Sequence, residues 1–171
     1  MDTASFAPVL LTLFHELVDG SRDAGRRTYV LNQGDPGLFA SLDRLSATAA
    51  SATPEGPSIA AHVDHLRYGL SLLNRWAQGT LPAKQETDWT ASWRRNVVSD
   101  TEWRNLRSEL RHEADVWTGT LRMPREVSDI EAGWLVSSVA HVAYHLGAIR
   151  QIDRSTRGPT AEDEARAQDE A

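Results

Sequence analysis

The chain has no cysteine among its 171 residues. That excludes disulfides, cysteine-ligated zinc and a cysteine nucleophile, so any thiol chemistry must use a thiol brought in from outside. It also lacks a run approaching the roughly 20 uninterrupted apolar residues that a bilayer span needs. Its opening stretch, MDTASFAPVLLTLFHELVDG, carries an early acid and a histidine where a secretory leader has a basic start and a clean apolar run. A cytoplasmic protein with no membrane partner is expected. No basic stripe interleaved with aromatics is present, so nucleic acid is not an expected partner. Strand-like alternation is nearly missing too, appearing only briefly in TYVLN at Thr28 to Asn32.

What is present is a hydrophobic content of 40%, enough to bury one core in a chain of this length. The net charge of -6 is unevenly placed, because Thr160 to Ala171 holds five acids and one arginine. Residues 1–155 read as one globular domain. Residues 156–171 read as an acidic tail, too poor in apolar groups to pack, for which disorder is expected.

Helical periodicity fills the body, and the spacing predicts four long helices. The first covers Ala4 to Asp19, with Phe6, Leu10, Leu13, Phe14 and Leu17 on one stripe and Gly20 as its stop. In the long link that follows, Asp35-Pro36-Gly37 supplies a cap and an N1 proline for a short helix, GLFASLDRLSA, whose stripe is Leu38, Leu42 and Leu45. Pro54 and Gly56-Pro57-Ser58 introduce the second long helix, IAAHVDHLRYGLSLLNRWAQ, with Ile59, Val63, Leu66, Leu70 and Leu73 facing the core and a stop at Gly79. A loop containing Pro82 and Trp89, Trp93 and Trp103 leads to the third helix, opened by a Ser99/Glu102 capping box and stopped at Gly119. Ser128 and Glu131 repeat the box for the fourth, which runs to Asp153. The expected class is an all-α four-helix bundle with a short extra helix in the long link between the first two long helices.

Four of the six histidines lie on the two most strongly patterned helices. Residues four apart on a helix differ by only about 40° in direction, so His141 and His145 in HVAYH project together at the spacing of two metal ligands. His62 and His65 border the apolar stripe of the second helix, where one or both can face the interior. Spacing alone leaves three arrangements standing: packed core histidines, a three-histidine site with an open position, and a closed site that includes His62. Imidazole suits zinc, nickel, copper and iron. No glutamate follows His141, so the HExxH arrangement of a zinc protease is absent. Tyr144 reads as packed against a neighbouring helix. His15 and His112 read as surface or half-buried residues.

Two segments, GPSIAAHVDHL and AHVAYHLGAIRQI, together with the NQGDPGLFASLDRLSA link and the DWTASW stretch, resemble the DinB-like metal-binding proteins. That superfamily includes bacillithiol transferases and mycothiol-dependent maleylpyruvate isomerases. The resemblance covers most of residues 4–153. It implies an up-down-down-up bundle, often dimeric, and a divalent ion held by His65, His141 and His145, with His62 as an extra ligand or a group that supports one. Nickel or zinc is the first expectation, and iron or manganese also suits the family. The implied activity is metal-dependent transfer of a low-molecular-weight thiol, or related hydrolysis, on a small molecule. The competing expectation is a non-catalytic metal-binding or stress-response protein. Arg67, Arg75 and Arg150 are candidates to meet a thiol's carboxylates only by nearness along the helices, and read otherwise as solvated.

Overall fold

The computed structural model describes residues 1–21, 27–53, 55–80, 83–163 and 166. Pro54, Pro82 and most of the acidic tail beyond Asp163 lie outside the described residues. Among the described residues the protein is all-α, and the one β-type pairing is an isolated bridge between Asp2 and Glu126.

Helix α1 spans Ala7–Asp19 and is preceded by a separate 3-10 turn, Thr3–Ser5. The expected start at Ala4 fails for a local reason: Pro8 has no N–H to give the carbonyl of Ala4, so an α-helix cannot run through it from that side. The Asp2 carboxylate instead caps the turn at Ala4 N (2.9 Å). Helix α2 is Gly37–Asp43, and Ser46 restarts the chain as α3, Ala47–Ala50, by accepting from Ala49 N. The expected Leu38, Leu42 and Leu45 stripe is buried. Asp35 caps α2 from one residue further out than expected, accepting from Gly37 N at 2.8 Å. Gly20 and Gly37 have φ of 91° and 70°, and their backbones press together so closely that a Cβ on either would collide with the other's segment. Only glycine permits this join of α1 to α2.

Helix α4, Ile59–Ala77, is capped by Ser58, while α5, Asp100–Leu121, and α6, Asp129–Ile152, each open with the expected capping box. Helix α5 does not stop at Gly119. Trp117, Thr118, Thr120 and Leu121 are all buried, and burial on this scale outweighs the roughly 1 kcal/mol that glycine costs within a helix. Trp103 belongs to α5 and not to the loop before it. It is buried, and its indole N–H donates to Leu45 O (2.9 Å), tying α5 to the α2–α3 link.

The four long helices touch in a ring: α1 against α6, α6 against α4, α4 against α5, and α5 against α1. Ser58 N donates to Asn96 Oδ1 beside the start of α5, and Asn74 near the end of α4 donates to Glu113 in its later part. Trp76, at the end of α4, donates to Glu131 at the start of α6 (3.0 Å). Met1 N meets Val127 O ahead of α6 (2.6 Å), while Arg150 near the end of α6 pairs with buried Asp35 (2.6 Å).

TYVLN forms no strand. The carboxylate of buried Glu16 on α1 accepts the backbone N–H groups of Tyr29, Val30 and Leu31 at 2.7–3.0 Å, which bends the segment around the end of the helix. The packed body also continues past residue 155: Thr156 is buried, its carbonyl accepts from Ser41 Oγ, and Pro159 O accepts from Asn32 Nδ2 (2.7 Å). Glu16→Ala leaves three inward N–H groups without their acceptor and is expected to destabilise the protein by about 3 kcal/mol. Glu16→Gln, which keeps one oxygen, should cost about half as much. Urea unfolding of both variants measures the difference.

Candidate metal centre

Helices α4 and α6 meet where their histidines lie. His62 and His65 come from α4, and His141 and His145 from α6. One ring nitrogen from each of His65, His141 and His145 falls within 4.8 Å of the others, so the three lie close enough to bind one metal ion. Nitrogens on a single zinc sit roughly 3.3 Å apart at bonds of about 2.0–2.1 Å, a separation that small ring rotations would reach from here. His145 Nε2 stands 2.9 Å from His141 Nε2. Two imidazole lone pairs at that distance repel unless a proton or a cation lies between them.

His62 does not join this set. Its Nδ1 lies 2.9 Å from His145 Nδ1, on the opposite side of that ring. A neutral imidazole has one N–H, so a His145 that donates to His62 presents a bare Nε2 to the other two histidines.

Ser92 settles the tautomer of His65. The Ser92 hydroxyl donates its only hydrogen to Trp89 O (2.7 Å), so at the 2.8 Å contact with His65 the ring Nδ1 must donate and Ser92 Oγ accept. His65 Nε2 is therefore its lone-pair nitrogen. Ser92 sits in a short 3-10 turn, Ala91–Trp93, which Asp88 caps through Ala91 N (2.8 Å). The same turn lays Trp93 flat on His65 at 4.1 Å between ring centres and edge-on to His62 at 5.1 Å. The DWTASW stretch is thus a lid on the imidazoles. Gly69 makes room from below: a Cβ there would stand 3.1 Å from the His141 ring.

Burial dominates the electrostatics. His65 is pushed down to about 4, first by loss of solvent, then by His141 and His62, with Asp64 opposing. His145 is pushed lower still by burial and then by the other three rings. Burial also lowers His62 and His141. All four are neutral near pH 7, the form in which imidazole binds a metal. Asp64 is buried between the two α4 histidines, but its oxygens are bonded by Arg67 (2.8 Å) and approached by Arg95 (3.4 Å).

The other sequence candidates fall elsewhere. Arg67 and Arg150 are not solvated helix residues, being tied to Asp64 and Asp35. Tyr144 does not pack into a neighbouring helix. It lies on the outer face of α6, 65% exposed, with its ring against the edge of His145 at 5.1 Å. His15 pairs with Asp19 (2.7 Å), and His112 is exposed. Ser92 and Gly69 are contributors that periodicity alone does not mark. Compared with family models, with curated proteins and with solved structures, the chain matches none.

The folded His65 titrates below the 6.5 of the free side chain. Between those two values the unfolded chain binds more protons than the folded one, so stability is fully present above about pH 6.5 and declines as pH falls toward 4. Metal-free protein should lose thermal stability through that window. A His65→Gln variant should show a shallower decline in the same calorimetric series.

Proposed function

We propose that this chain is a DinB-like protein, an up-down-down-up four-helix bundle that holds a divalent ion through His65, His141 and His145 and serves metal-dependent transfer of a low-molecular-weight thiol, or related hydrolysis, on a small molecule. The observation that carries the reading is the convergence of three neutral imidazoles within 4.8 Å, two of them backed by hydrogen-bond partners on their far nitrogens, Ser92 and His62. Support for the bundle comes from the ring of helix contacts and from residues that pair start with start between α4 and α5, and end with start between α4 and α6.

The donor set fits nickel or zinc first, and iron or manganese by the resemblance; three neutral nitrogens leave the ion's charge uncompensated and room for another ligand. When bound, such an ion supplies Lewis acidity, lowering the pKa of a thiol or water and polarising a carbonyl. The residues of the chain do the positioning. Ser92 fixes the proton of His65 away from the site, His62 Nδ1 is placed to accept the proton that His145 would carry on Nδ1 with an ion at its Nε2, and Trp93 keeps water from two of the rings. A cysteine-free chain suits this chemistry, because the thiol arrives as a cosubstrate.

A second reading, a non-catalytic metal protein, is favoured by one observation: among the described residues no carboxylate hydrogen-bonds any of the four imidazoles, Asp64 being held by arginines. A homodimer is also part of the proposal. Helix α6 has no charged residue between Glu131 and Arg150, yet exposes Val136 and Tyr144. Sedimentation showing only monomer at micromolar concentration would remove it.

Protein purified without a histidine tag and titrated with zinc or nickel should take up close to one ion per chain by elemental analysis. His141→Ala and His145→Ala should abolish uptake. Ser92→Ala and His62→Ala should weaken it by about 10–100-fold, the usual loss when a ligand's supporting hydrogen bond is removed. Equal uptake by wild type and by the His141→Ala/His145→Ala double variant would overturn the site. If the loaded protein conjugates neither bacillithiol, mycothiol nor glutathione to electrophiles, and hydrolyses no simple ester or amide, the non-catalytic reading stands in place of the enzymatic one.

A further inference from the structure

Beside the imidazole cluster, α4 and α6 diverge around a cleft of about 770 Å³. His141 belongs to both places: its ring is part of the three-histidine cluster and part of the cleft wall. The volume lies within the range of small-molecule sites, roughly 300–1,000 Å³. Three of the chain's six tryptophans, Trp76, Trp89 and Trp134, line it. Trp76 and Trp134 stand edge to face at 5.5 Å. Trp89 is 45% exposed even though it packs beside His65 and Tyr68. An indole left this open beside a concave apolar wall offers a flat surface for a planar ligand.

The charge lining the cleft is as selective as its shape. Among the described residues no acid lines it, and the one cation that does is Lys84, the only lysine in the chain. Among the described residues Lys84 makes no ion pair, whereas Arg67, Arg107, Arg111 and Arg150 are each tied to a carboxylate. The hydroxyls of Ser137 and Ser138 donate to carbonyls of their own helix, so they offer a ligand little hydrogen-bond donation. What remains is a wide aromatic surface with one ammonium group.

We infer that this cleft binds a planar apolar molecule carrying a single carboxylate, its ring system against the tryptophans, its anionic group toward Lys84, and its edge at His141. Its standing as the substrate of the metal centre rests on the function proposed above; its binding does not.

Calorimetric titration with 1-naphthoate and with its neutral counterpart 1-naphthamide tests the inference. Naphthoate should bind saturably and about fivefold more tightly than the amide, the scale of one solvent-accessible ion pair. Lys84→Gln should erase that preference while leaving amide binding unchanged. Ser137→Trp, which fills the cleft from its exposed wall, should abolish binding of both. No saturable binding, an undiminished preference in Lys84→Gln, or wild-type binding in Ser137→Trp would each overturn it. Zinc content is measured on the same preparations, and His145→Ala is included because His145 does not line the cleft. His145→Ala should lose zinc and keep naphthoate binding; wild type that takes up no zinc yet binds naphthoate overturns the metal reading alone, and wild type that takes up zinc without binding naphthoate overturns the cleft alone.

Discussion

Imidazole has one N–H and one lone pair when neutral, and the packing of α4 against α6 forces four such rings into one buried contact. Removing them from water makes the protonated forms costly, and neighbouring rings raise that cost further for His65 and His145. The surroundings then have to direct each proton. Ser92 receives that of His65, His62 faces the far nitrogen of His145, and the inward nitrogens of His145 and His141 are left at 2.9 Å. A shared proton resolves that contact between two rings, and a metal ion could do so for three, because it takes several lone pairs without a proton.

Much of the scaffold follows from keeping these rings in register. The centre of α6, from Ala132 to Ile149, carries no charge, so nothing on that helix competes for the imidazoles. Asp64 could draw protons onto the α4 histidines, and Arg67 and Arg95 occupy it instead. Away from the cluster, Trp76 on Glu131 and Trp117 on Ser138 pin α6 to α4 and to α5 through indole N–H bonds. At the opposite end Asp35 receives both Arg150 and Gly37 N, linking α6 to the α1–α2 join. Gly69 has the complementary role, since its missing side chain lets the His141 ring lie between the cluster and the aromatic cleft.

Some of this was legible along the chain. The two S-x-x-E boxes place the starts of α5 and α6 because a capping box is satisfied within four residues. The Leu38, Leu42 and Leu45 stripe and the His141/His145 pair are readable for the same reason, since helical periodicity fixes which side chains share a face. The failures are where a distant group decides. TYVLN alternates like a strand, but the Glu16 carboxylate takes its N–H groups. Gly119 looks like a stop, but the core contacts of Trp117 and Leu121 carry α5 through it. Trp103 reads as a loop aromatic, but Leu45 O, far away in sequence, holds its indole inside.

The amino-acid sequence by itself determined an all-helical protein with two pairs of histidines on helix faces, because turn periodicity and capping are local properties of the chain. Spacing left open whether His62 or His65 joins the α6 pair, since three- and four-residue spacings allow either, and only the resemblance pointed to His65. Tertiary packing decided that, through the rotation of α4 against α6. It also brought Ser92, twenty-seven residues from His65, to the one nitrogen whose proton decides which side of the ring faces inward. Hydrogen-bond direction between remote side chains is a property of the folded arrangement, and no pattern along the chain encodes it.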